Sequence, residues 1–139
     1  MATFKKLEEI IAWQKARELC KEIRKDADAY IKAKEFELLN QIKSSSGSCM
    51  DNIAEGFGRM GNNEFRNFLT IAHGSIMEVV SQLYRTYDYE IISEERFKFL
   101  LEKTYEVQRL LHSLITHLTQ TPMKGVKFQK PVVLNPGTE

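Results

Sequence analysis

Apolar residues in this chain recur about every three or four positions through four separate segments. The first stripe is Trp13, Ala16, Cys20, Ile23, Ala27 and Tyr30, and the second is Leu39, Ile42, Ser46, Cys49 and Ile53. The third runs Phe65, Phe68, Leu69, Ala72, Ile76, Val79, Val80, Leu83 and Tyr87. The fourth is Phe97, Leu100, Thr104, Val107, Leu111, Leu114 and Leu118. This spacing keeps one side of an α-helix apolar along its length, whereas a strand would need strict alternation. Four such helices with short connections bury their stripes as an antiparallel up-down-up-down bundle. The expected fold is therefore all-α: a four-helix bundle over residues 1–119 and an extended or disordered C-terminal tail over residues 120–139. Pro122, Pro131, Pro136, Gly125 and Gly137 punctuate that tail, and Lys124, Lys127 and Lys130 face a single acid, Glu139. Val126, Phe128 and Val132-Val133-Leu134 make it apolar enough to dock on a surface.

Two local features test the bundle. The run Ser44-Ser45-Ser46-Gly47-Ser48 reads locally as a loop, yet the second stripe resumes in phase behind it. A flexible loop would not keep that phase, so a continuous helix with a small-residue contact face is favoured. Ser93 before Glu94 and Glu95 reads as the cap of the fourth helix, with two acids set against its dipole. Gly74-Ser75 similarly suggests close packing in the third.

The segment Asp51-Asn52-Ile53-Ala54-Glu55-Gly56-Phe57-Gly58-Arg59 reads as a helix end followed at once by a new start at Asn62-Asn63-Glu64. Gly56 or Gly58 is expected at a positive φ, where a Cβ is disfavoured and the chain can reverse. Asn52, Glu55 and Arg59 have two readings. As structural groups they secure the turn, Asn52 and Glu55 on the facing backbone and Arg59 on an acid or exposed carbonyls. As functional groups they line a binding site beside it. The structural reading is favoured.

The chain resembles the 23S rRNA intervening-sequence proteins. The likeness covers about Leu7 to Leu118. It includes Trp13-Gln14-Lys15-Ala16-Arg17-Glu18-Leu19, then Asn52-Ile53-Ala54-Glu55-Gly56-Phe57-Gly58-Arg59, which is the most specific part. Glu64-Phe65 with Phe68-Leu69, Ile71-Ala72-His73-Gly74-Ser75 with Glu78, and Gln82-Leu83 complete it. The resemblance implies a left-handed antiparallel four-helix bundle that assembles into rings of five. A relative, the accessory variability determinant of diversity-generating retroelements, is a basic pentamer that binds nucleic acid and a reverse transcriptase. Many relatives carry a proline where this chain reads Ser48-Cys49-Met50-Asp51-Asn52.

Composition narrows the function. Twenty basic residues stand against 19 acidic ones, a net charge of +1, so a nucleic-acid surface must come from segregation of charge. The candidates are Lys15, Arg17, Lys21, Arg24, Lys25 and Arg59, with Lys5, Lys6, Lys32, Lys34 and the tail lysines as outer members. Intervening acids such as Glu18, Glu22 and Asp26 also fit an ordinary solvated face. Tyr84, Tyr87 and Tyr89 could stack on bases or close the core. His73, His112 and His117 form no HExxH or ExxH pair, and no GxSxG elbow exists, so neither a catalytic centre nor a cofactor or metal is expected. Cys20 and Cys49 read as reduced core thiols, and no apolar run spans a membrane, which together give a cytoplasmic expectation. Leu7, Ile11 and Leu19, with Phe99, Leu101, Leu110 and Ile115, lie off the main stripes. They suggest a second apolar face and a closed homo-oligomer, a pentamer by resemblance. The leading reading is a non-enzymatic oligomeric scaffold that binds RNA or other nucleic acid. The alternative is a protein-interaction adaptor with no nucleic-acid role.

Overall fold

The computed structural model describes residues 4–120, and every regular element among them is helical. A 3-10 turn at Leu7–Glu9 leads into α1 (Ile11–Lys25) and a short α2 (Ala27–Lys32). Three long helices follow: α3 (Phe36–Gly58), α4 (Asn62–Asp88) and α5 (Glu94–Gln120). Of the expected tail over residues 120–139, with Lys124, Lys127 and Lys130, only Gln120 is among the described residues, and it ends α5.

Cross-helix pairs fix the directions. Arg85 meets Gln41, Ser75 meets Ser48 and Phe65 lies against Gly56, so α4 descends as α3 climbs. His73 pairs with Gln108 and Tyr84 packs on Phe97, which sets α5 antiparallel to α4. Lys15 reaches Glu106, Lys103 reaches Glu18 and Arg96 reaches Glu22, which sets α1 antiparallel to α5. Each long helix touches two neighbours, α1 and α4 both lying between α3 and α5. The expected up-down-up-down bundle is thus formed.

The four stripes face inward. Ile23, Ile42, Cys49, Ile53, Leu69, Ile76, Leu83, Val107, Leu111 and Leu118 are buried in one core. Several of the polar groups that enter it are bonded. The Tyr30 and Thr86 hydroxyls lie 2.9 Å apart, and the Thr104 hydroxyl donates to the Leu100 carbonyl at 2.7 Å. The serine run is helical throughout. The Ser45 and Ser46 hydroxyls donate to Gln41 and Ile42 carbonyls one turn back, which removes their cost of burial. Ser48 reaches Ser75 on α4 at 3.0 Å, so α3 and α4 approach closely through small residues. Gly74 beside it has an open Cβ position, so the close packing expected there belongs to Ser75 alone.

The signature turn differs from expectation. Gly56 and Gly58 both lie within α3, and the left-handed residue is Met60, at φ 63°. Lys34 and Glu90 take the same conformation after α2 and α4, at φ 60° and 61°. In both places the next N–H bonds five residues back, Glu35 to Tyr30 and Ile91 to Thr86, and this satisfies carbonyls at the helix end. These hydrogen bonds offset the steric cost of a side chain in that conformation. Gly56 has another role. A Cβ there would lie 2.7 Å from the Phe68 Cβ and 3.2 Å from the Phe65 carbonyl oxygen. Its missing side chain is what lets the α4 backbone pass. A Cβ at Gly58 would meet nothing within 4 Å.

The first arm also departs from one unbroken stripe. It breaks at Asp26, whose N–H bonds to Ile23 rather than to Glu22. The Glu22 carbonyl accepts instead from the Arg96 guanidinium at 2.8 Å. A side chain that takes a carbonyl from the helical ladder is a recognised cause of kinking. The expected second apolar face is largely absorbed too. Leu19 is fully buried, and Leu7, Leu101, Leu110 and Ile115 are half-buried against the core. Ile11 and Phe99 remain exposed.

The two glycines should therefore respond oppositely to the same change. Gly56→Ala should lose roughly 1–3 kcal/mol through overpacking against α4. Gly58→Ala should gain about 0.5–1 kcal/mol, because alanine holds a helix better than glycine. Urea unfolding of both variants checks this. A loss at Gly58 with none at Gly56 would restore the helix-ending role to the glycines.

Candidate nucleic-acid interface

Arg17, Lys21 and Arg24 follow one another at steps of four and three, which places them along a single line on α1. That line lies on the side of α1 turned toward α3. The Cys20 thiol between them meets the Ser46 hydroxyl of α3. Lys43 stands one turn before Ser46 on the antiparallel α3, so it sits near the level of Arg24. All four cations are exposed. Half-buried Trp13 closes the upper end, with the Arg17 guanidinium 6.0 Å from its ring centre. Trp13, Gln14, Arg17, Glu18 and Lys21 line a shallow recess there.

Three of the other sequence candidates are occupied. Lys15 pairs with Glu18 and Glu106, and Lys25 pairs with Glu22 at 2.9 Å. Arg59 pairs with Glu55 at 2.9 Å and lies 5.1 Å from the Phe68 ring centre. Among the described residues, Arg17, Lys21, Arg24 and Lys43 carry no ion pair. Lys43 escaped the sequence reading because it lies on a different helix from the α1 cluster, and only packing joins them.

The polar residues of the signature act within α3. The Asn52 amide donates to the Ser48 carbonyl at 2.8 Å and to its hydroxyl at 3.0 Å. It thereby supports the serine that meets Ser75. Glu55 holds Arg59 over one helical turn. Neither bonds the facing backbone as expected. Asn62, at the start of α4, is fully buried.

The two cysteine thiols are shielded. Burial pushes the Cys49 thiol up to about 12 and raises Cys20 as well, and both are free thiols. Such thiols are poor nucleophiles. His73 shares a 3.0 Å contact with Gln108, and burial, then nearby His112, lowers its pKa. No group of three metal-ligating side chains is gathered among the described residues. No described helix is long and apolar enough to cross a membrane. Tyr87 stacks on Phe97 at 4.7 Å and closes the core, whereas Tyr84 and Tyr89 stay half-exposed.

The orientation of α1 depends on Arg96. Its guanidinium donates to Asp26 at 3.0 Å, to Glu22 at 3.1 Å and to the Glu22 carbonyl, and so joins α5 to the kink below Arg24. The side chain is 25% exposed, so these charge-assisted bonds are only partly screened.

These features define a helical-bundle protein with a weak basic flank and inert thiols. The family model for 23S rRNA-intervening sequence proteins matches residues 8–113, and the chain belongs to that family. A similar solved structure is a protein of unknown function from the S23 ribosomal protein family of Bacteroides thetaiotaomicron. It is 27% identical, with a TM-score of 0.71, over 75% of this chain and 97% of that one. No curated protein matches the chain significantly.

Replacing Arg96 with Leu should cost about 1.5–3 kcal/mol, since charged hydrogen bonds are lost and Glu22 and Asp26 keep their charges. There is a pH signature. The hydrogen bond from Lys25 first, and that from Arg96 second, hold the Glu22 carboxyl below its usual range. A depressed carboxyl stabilises the fold above its unfolded pKa and loses that contribution as pH falls through the folded one. Thermal midpoints should therefore fall on acidification below about pH 4.5. The Arg96→Leu variant should lose less over that interval than the wild type.

Proposed function

We propose that the protein is a non-enzymatic scaffold that binds structured RNA along the α1–α3 flank and works as a closed homo-oligomer. The observation that carries the RNA reading is the line Arg17, Lys21 and Arg24, joined by Lys43, with no carboxylate partner, in a molecule whose other α1 cations are largely neutralised. Unpaired cations on one flank can displace counterions from a phosphate backbone, and a half-buried tryptophan beside them offers a stacking surface. The family description, an intervening sequence of 23S rRNA, supports RNA over DNA.

A net charge of +1 makes one copy a weak binder. Assembly compensates, because a ring repeats the flank and sums its field. Ile11 on α1 and Phe99 on α5 are the exposed survivors of the second apolar face, and they are the contacts proposed for the ring. The family resemblance supports five copies.

Structured RNA binding should weaken steeply as salt rises. Arg17→Glu, Lys21→Glu and Arg24→Glu together should abolish it, whereas Lys98→Glu, on α5, should leave it intact. No binding at ~50 mM salt would remove the RNA role and leave a protein adaptor.

Light scattering should give a multiple of the 16.2 kDa chain mass, and Ile11→Lys should lower it. A mass of one chain would end the ring proposal and, with it, the summed field.

A further inference from the structure

Helix α4 presents an outer strip with almost no charge. From Asn67 to Tyr84 its only charged residue is Glu78, although Thr70, Ile71, Gly74, Met77, Ser81 and Tyr84 are exposed. Met77 is 39% exposed and Tyr84 48%. Thr70, Gly74, Met77, Ser81 and Tyr84 follow at steps of four and three, so they form one line beside α5. Half-buried Leu101 and Tyr105 of α5 border it. Gly74 weakens a helix interior, yet a Cβ there would meet nothing within 4 Å. Its small size serves no neighbour in the described bundle. Gly47 on α3 is equally open, but Lys43, Ser44 and Asp51 around it are polar or charged and suit water.

We propose that this strip is the docking groove for the chain's own C-terminal segment, residues 121–139. Reach is the first argument. The segment starts where α5 ends, at Gln120. Nineteen residues can span at most about 63 Å, and the 27-residue α5 is about 40 Å long, so the segment can return along the whole of that helix. His73 lies opposite Gln108 and Tyr84 opposite Phe97, so the strip on α4 is within that reach. Val126, Phe128 and Val132-Val133-Leu134 are the apolar residues the segment offers to Ile71, Met77 and Tyr84. Charge is the second argument. The segment carries Lys124, Lys127 and Lys130 against Glu139, and the strip carries only Glu78. Small residues at Gly74 and Ser81 leave room for a backbone between larger Met77 and Tyr84.

The test uses the full chain with a benzophenone amino acid in place of Phe128. After illumination, trypsin releases residues 67–85 as one peptide, because no Lys or Arg lies between Arg66 and Arg85. Mass spectrometry should find that peptide cross-linked to the C-terminal segment. Mixing isotopically heavy and light protein should show the link to be within one chain. Gly74→Gln fills the groove without touching the core, so it should cut the cross-link yield several-fold while the thermal midpoint holds or rises. A link to any other peptide, a link between chains, or an unchanged yield in Gly74→Gln would each overturn the proposal.

Discussion

The close approach of α3 and α4 is the contact on which the rest of the bundle depends. It is made by subtraction. Gly56 leaves out a Cβ that would strike Phe68, and Ser48 and Ser75 meet through hydroxyls in the space larger side chains would need. Asn52 steadies the first of those serines. With the two backbones this close, Ile53, Leu69, Ala72 and Ile76 are sealed from water. The conspicuous signature segment is therefore chiefly a packing device, and its polar residues serve the helix that carries them.

A second constraint works across the molecule. Arg96 takes the carbonyl that would continue the α1 ladder, and it binds the carboxylates of Glu22, one turn before the break, and of Asp26, at the break itself. One side chain thus sets where the first arm bends and ties it to α5. The basic flank of α1 lies on the opposite side from this clamp. The acids of α1 go to Arg96, Lys15, Lys25 and Lys103, which leaves Arg17, Lys21 and Arg24 without an ion pair among the described residues. Segregation of charge in a nearly neutral chain follows from this helical arithmetic.

The two proposals use different surfaces. The flank toward α3 is polar and cationic, and the strip on α4 is nearly uncharged. A surface that attracts phosphate and one that excludes water serve best when apart, and the bundle places them on α1 and α4, which are not neighbours.

The sequence by itself determined the four helical arms, their inward faces and the continuity of the serine run, because each rests on a period of three and four within one segment. It also determined the cap at Ser93, whose hydroxyl does accept from the Arg96 N–H at 3.1 Å. Family membership was legible in ordered motifs. Tertiary structure decided what involves two segments at once. The role of Gly56 depends on Phe65 and Phe68 across the turn, and a glycine needed for space looks the same in sequence as one needed for a positive φ. The left-handed residue fell on Met60 because the glycines were already committed to α3. The break at Asp26 came from Arg96, seventy positions away. Leu19 went inward because the buried face of α1 is Ala12, Ala16, Leu19 and Ile23, one position from the stripe that runs through Cys20. Lys43 joined the α1 cations, and Lys15, Lys25 and Arg59 left the candidate set, because ion pairing is settled by distance between side chains and no single segment contains that distance.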